Sequence, residues 1–146
     1  MKKICLSLVL LLLLLGACKP AGSSVKTMVC TQIETEETIE YAFVGEKPVT
    51  QIIVKITAHY SYFGFANLEE FEASKAEFVQ DLLDVFYPDG KGDAYSEGEN
   101  IIGTITIAGA DFDFSYIQLD EKDYNKVTFD MIKASAEPYG ISCVIE

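Results

Sequence analysis

His59 is the only imidazole in the chain, so any nucleophilic triad would have to be built around it. Such a triad holds a histidine between a hydroxyl and a carboxylate. His59 falls at the end of a strand-like segment, and nothing in the sequence aims a particular serine at it. No Gly-x-Ser-x-Gly, His-Glu-x-x-His or glycine-rich phosphate loop occurs. The 23 acidic residues could in principle supply paired-acid chemistry. That chemistry needs two carboxyl groups in a cleft whose surroundings push their pKa values apart. Here the acids fall mainly on one helix face and in turns, where water solvates them. Asp89-Gly90-Lys91-Gly92-Asp93, with Glu97 and Glu99 nearby, has the look of a calcium loop. It lacks the oxygen ligands at positions one, three and five before a glycine at six, and reads as a helix-to-strand loop. The expectation is a protein that is not an enzyme and holds no cofactor and no metal.

The remaining cluster is aromatic: Tyr60, Tyr62, Phe63 and Phe65 lie between the third strand and the main helix. Exposed aromatics supply contact area at little entropic cost and can form a binding patch. They equally form a core edge where a helix crosses a sheet, and this second reading is favoured.

The elements that position these residues follow from periodicity. Val25 to Ile33 is β-rich, and Thr38 to Val44 alternates with Ile39, Tyr41 and Phe43 on one face. Glu34-Thr35-Glu36-Glu37 suits the turn between them, and Gly45-Glu46-Lys47-Pro48 the next turn. Val49 to Tyr60 is a long strand candidate with Ile52, Val54 and Ile56 on one face and Val49, Gln51, Ile53, Lys55 and Thr57 on the other. Three such strands with short turns make an antiparallel meander. Asn67 to Tyr87 carries apolar residues at helical spacing, with an N-cap at Asn67, a capping-box acid at Glu70, and Pro88 and Gly90 as the stop. With one Lys75, this helix is a core element rather than a membrane-surface one.

Asp89 to Asn100 reads as a polar loop. Ile101 to Ala108 and Phe112 to Leu119 read as a second hairpin turning through Gly109-Ala110-Asp111. Asp123 to Ala134 fits a short second helix through Tyr124, Val127 and Met131, with Lys126-Val127-Thr128-Phe129 as a short strand the alternative, and Ile141 to Ile145 reads as a last strand. The sum is an α+β fold, an antiparallel sheet with one long amphipathic helix packed on one face.

With 146 residues, 49% of them hydrophobic and 23% charged, the chain supports one globular domain. It has 11 lysines, no arginine and a formal net charge of −12, so nucleic acid is not an expected partner.

The N-terminus is the clearest signal. Lys2 and Lys3 form a positive region, Ile4 to Leu15 an apolar one, and Gly16 and Ala17 are small. The apolar run falls short of the roughly 20 residues that span a bilayer. Leu15-Gly16-Ala17-Cys18 resembles the lipobox of bacterial lipoproteins. The resemblance implies cleavage before Cys18, a diacylglycerol on its sulfur, and attachment to a membrane outside the cytoplasm. Two or more acyl chains anchor stably. Lys19, which is not Asp, implies the outer membrane in a Gram-negative host. Residues 1–17 are then a signal peptide, 18–24 the lipidated cysteine and tether, and 25–146 the single domain. The mature chain keeps nine lysines against 23 acids, a formal charge of −14.

Cys5 leaves with the signal and Cys18 takes the lipid, which leaves Cys30 and Cys143 in an oxidising compartment. A bond between them is favoured, and closing so long a loop contributes roughly 4–5 kcal/mol in the chain-entropy model. Two buried free thiols are the alternative.

Tyr41-Ala42-Phe43-Val44-Gly45 and Tyr60-Ser61-Tyr62-Phe63-Gly64, followed by Glu69-Glu70, resemble the YehR-like family of small bacterial lipoproteins. That likeness implies an α+β domain without known catalytic residues. The expected role is a non-enzymatic, membrane-anchored envelope lipoprotein that binds an envelope protein or plays a structural part. The acidity also suits an inhibitor or decoy of a cationic protein such as lysozyme. A carrier with an apolar pocket for a small ligand is the third reading.

Overall fold

The computed structural model describes residues 25–146 and has six strands, all but the fourth carrying β-branched residues. They are β1 (Thr27–Ile33), β2 (Glu37–Val44), β3 (Gln51–His59), β4 (Lys91–Glu97), β5 (Asn100–Ala108) and β6 (Ser142–Ile145). They form one sheet in the order β4-β5-β3-β2-β1-β6, with every neighbouring pair antiparallel. Two helices, α1 (Leu68–Phe86) and α2 (Phe129–Ala136), complete an α+β architecture. The proposed signal peptide, Cys18 and the tether lie outside the described residues.

Register decides which side chains share the core. Met28, Phe43, Ile52 and Ile107 stand in one cross-strand row, and Cys30, Tyr41, Val54 and Ile105 in the next. All eight are buried. The alternation expected from sequence is observed within β2 and β3, with Ile52, Val54 and Ile56 inward, but Val49, expected on the opposite face, is fully buried because the strand starts only at Gln51 and the chain before it does not keep the period. β6 lies on the outer side of β1, where Cys143 faces Cys30 and the two are joined by a disulfide.

Helix α1 starts where its caps say it should. The Asn67 Oδ1 accepts from the Glu70 N–H at 2.9 Å, and the Glu70 carboxylate reaches back to the Ala66 N–H at 2.7 Å. This is a capping box displaced by one residue. At the other end Tyr87 turns extended, and its N–H donates to the Leu83 carbonyl at 2.7 Å. Phe71, Phe78 and Leu82 are buried against the sheet.

The helix covers only the β4–β5 end of the sheet, and it comes close because the strands beneath it carry small residues. A Cβ at Gly92 would stand 2.7 Å from Val79 Cγ1, and one at Gly103 2.5 Å from Leu82 Cδ1. This corrects the expected loop over 89–100. Lys91–Glu97 is a strand whose inward positions are Gly92, Ala94 and Ser96, so it shows no hydrophobic period.

The expected hairpin of Ile101–Ala108 with Phe112–Leu119 is also corrected. β5 turns back on β4 through Gly98 and Glu99, and Phe114–Ile117 is a turn of 3₁₀-helix. Asp113 caps that turn by accepting from the Ser115 N–H at 2.9 Å. Phe112, Phe114 and Ile117 are buried, which breaks the period of two after Phe114. The helix expected over 123–134 begins later, at Phe129, after an N-cap in which Thr128 Oγ1 accepts from the Met131 N–H at 3.2 Å.

Gly109 marks a close approach of backbone to backbone. A Cβ there would run into the Val49 carbonyl oxygen, while the Gly109 N–H donates to the Thr50 carbonyl at 2.9 Å. No side chain can swing aside, so Gly109→Ala is expected to cost about 1–3 kcal/mol, as overpacking does elsewhere. The urea midpoint should fall with an unchanged slope; an unchanged midpoint would show that the loop yields freely.

Candidate functional site

Strand pairing assembles a cleft at one end of the sheet. β1 runs seven residues, about 23 Å, from Thr27 to Ile33. The turn beyond it carries Glu34, Thr35, Glu36 and Glu37. The pairs Glu37 with Ala58 and His59 with Asn100 bring that turn against the end of β3 and the start of β5. The result is an open cleft of about 520 Å³ lined by Glu34, Glu36, Glu37, His59, Tyr62 and Asn100, among others.

Its electrostatics are those of a carboxylate ring with one phenol. The Glu37 carboxylate beside Tyr62, which is 43% exposed, raises the phenol's pKa above the ordinary tyrosine value. The Glu36 and Glu34 charges push in the same direction. No lysine lines the cleft. The arrangement favours an ammonium or guanidinium group, or a donor-rich surface, entering from solvent.

His59 and Ser61 do meet, which the sequence did not indicate. The His59 Nδ1 and Ser61 Oγ are 2.8 Å apart, and Nδ1 also accepts from the Ser61 N–H at 3.3 Å. The Glu99 carboxylate lies 3.9 Å from Nε2, beyond hydrogen-bond reach. This is a local cap on the 3₁₀ turn Tyr60–Phe63, with the imidazole against the Tyr60 ring at 4.1 Å between centroids and tilted by 36°.

The four aromatics singled out from sequence divide. Phe63 packs edge-on to Phe78 at 5.0 Å, and Phe65 to Phe71 at 5.6 Å. Tyr60, Phe63 and Phe65 pack against the core. Only Tyr62 reaches the cleft. What sequence reading missed was the acidic turn as part of a site. Glu34 to Glu37 were legible as a turn, but their meeting with Tyr62 depends on register over strands far apart in the chain.

A second cleft of about 400 Å³ opens beside Phe112, Phe114, Leu119 and Tyr124, with Asp120 and Glu121 at its edge. Among the described residues no helix is long and apolar enough to cross a membrane.

No family model matches the chain, and no curated protein does. Among solved structures, the NMR structure of the E. coli YehR protein is similar, with 16% identity and a TM-score of 0.57. The match covers 84% of this chain and 93% of that one. The likeness shows that this chain has a YehR-like fold.

Proposed function

We propose that this chain is a non-enzymatic lipoprotein of the bacterial cell envelope, anchored outside the cytoplasm through Cys18, with residues 25–146 as a binding module. The observation that carries the reading is Leu15-Gly16-Ala17-Cys18 placed after Lys2-Lys3 and the apolar Ile4 to Leu15. The Cys30–Cys143 disulfide supports it, because such bonds persist in oxidising compartments. In this reading residues 1–17 are removed and 18–24 tether the domain. The tether would enter beside Val25, so the acidic cleft, a strand's length away, would face outward.

The cleft favours one kind of partner within this role, a cationic protein such as a lysozyme, held as by an inhibitor or decoy. Glu34, Glu36 and Glu37 around Tyr62 are the observation behind that choice. The test is capture from envelope extract by the chain starting at Lys19, washed at low and high salt. The expected partner is basic and is released at high salt, where the Debye length falls to about 3 Å. It should also be lost with Glu34→Gln/Glu36→Gln/Glu37→Gln. A partner that survives both high salt and the triple variant would overturn the cleft as its seat and favour a packed interface elsewhere.

A further inference from the structure

The sheet face turned away from the helices is nearly free of net charge, although the chain is strongly acidic. Every second residue of β1, β2, β3 and β5 points to it, and register aligns them in rows. Val144, Val29, Ala42 and Ile53 form one row, and Thr31, Glu40, Lys55 and Thr104 the next. Glu40 and Lys55 are the only acid and the only lysine these four strands place there. They neutralise each other, with Lys55 Nζ 2.7 Å from Glu40 Oε2. The other positions are mostly threonine, valine, isoleucine and alanine.

We propose that this face is a homodimer interface, on which a second copy of the chain packs sheet to sheet. Charge argues for that occupant. Two copies that each carry nine lysines and 23 acids after residue 17 repel one another on the whole, and contact costs least across this face, whose interior is neutral and whose carboxylates, Glu34, Glu36 and Glu37 of the cleft, stand at its edge. Size argues for it as well. Five strands of seven to nine residues and the four-residue β6, about 4.8 Å apart, give a face of roughly 700 Å². A stable interface buries about 800 Å² on each partner. The charged residues of β4, Lys91, Asp93 and Glu97, fall at the edge, which is where an interface keeps its polar rim. A two-fold axis along the strands would put both N-termini at the same end. Two copies tethered to one surface need that, although the dimer itself does not depend on the anchor.

Salt gives the proposal its sign. Screening weakens repulsion between acidic copies, so dimerisation tightens with salt, the reverse of a cationic partner at the cleft. The test is sedimentation equilibrium of the chain from residue 18 carrying Cys18→Ser. The expected result is a monomer–dimer equilibrium at least about tenfold tighter at high than at low salt. Ile53→Glu should give monomer at both. Because that variant could disturb the strand, Ile53→Cys with a short bis-maleimide supplies a second readout, since packed sheets lie about 10 Å apart. Ile53→Cys should cross-link into dimers, whereas Glu77→Cys on the exposed side of α1 should not. Monomer at every salt without cross-linking at position 53 overturns the proposal. So does equal cross-linking at position 77, or a folded Ile53→Glu chain that still dimerises.

Discussion

Replacing both Cys30 and Cys143 by alanine lowers the unfolding free energy by about 4 kcal/mol. The bond joins residues 113 apart in sequence, so its loss returns a large loop entropy to the unfolded chain. Within the fold its effect concentrates on β6. That strand has four residues, pairs only with β1, and buries only Cys143 of its own side chains. Without the bond β6 keeps its ladder to β1 and the Glu146 N–H donating to the Thr27 carbonyl at 2.8 Å. Alanine at both positions avoids burying an unpaired hydroxyl, so the loss reports the cross-link together with a small packing defect. Urea unfolding measures the total. Hydrogen exchange should show β6 amides opening well below the global free energy while β3 and β5 stay protected. A loss under about 1 kcal/mol would mean that β6 is held by its ladder alone and that the disulfide adds little.

Phe43→Ala is the other large effect, with an expected loss of about 3–5 kcal/mol. Its side chain is fully buried and lies at the centre of an aromatic group: Phe112 at 6.0 Å, Phe114 at 6.4 Å and Tyr41 at 6.4 Å between ring centroids. Phe43 sits on β2 in the middle of the sheet, whereas Phe112 and Phe114 belong to a segment with no strand pairing. That segment is attached chiefly by burying Phe112, Phe114 and Ile117. Removing Phe43 therefore opens a cavity and weakens the attachment of the 112–117 turn at once. Phe43→Leu should lose less, because more of the volume is kept. Chemical denaturation gives the size, and exchange of the amides at 114–118 shows where it falls. A loss below about 1.5 kcal/mol would mean that the site collapses around the cavity, contrary to a close-packed sheet–turn contact.

The parts of this fold legible in the sequence are those whose own periodicity does the work. β2 and β3 alternate because one face is buried, and α1 repeats at helical spacing between an Asn67 cap and the Pro88 stop. β4 was hidden because what it turns toward α1 is Gly92 and Ala94: close approach removed the apolar signal that would have marked it. Phe112, Asp113, Phe114 and Ser115 imitated a strand for four residues, until Asp113 capped a 3₁₀ turn and Gln118 took a left-handed conformation. The cleft was illegible for another reason. His59, Tyr62 and the Glu34–Glu37 turn each have an ordinary local role. Only the pairing of β2 with β3, and of β3 with β5, brings them together.

The measurement that bears most directly on the proposed role is the mass of the N-terminal peptide from protein made in a bacterial host and recovered from its membranes. The account predicts a chain that begins at Cys18 with a diacylglycerol on the sulfur, and a Cys18→Ala variant that no longer carries lipid or sediments with membranes. A chain that retains Met1, or one cut elsewhere with an unmodified Cys18, would contradict it.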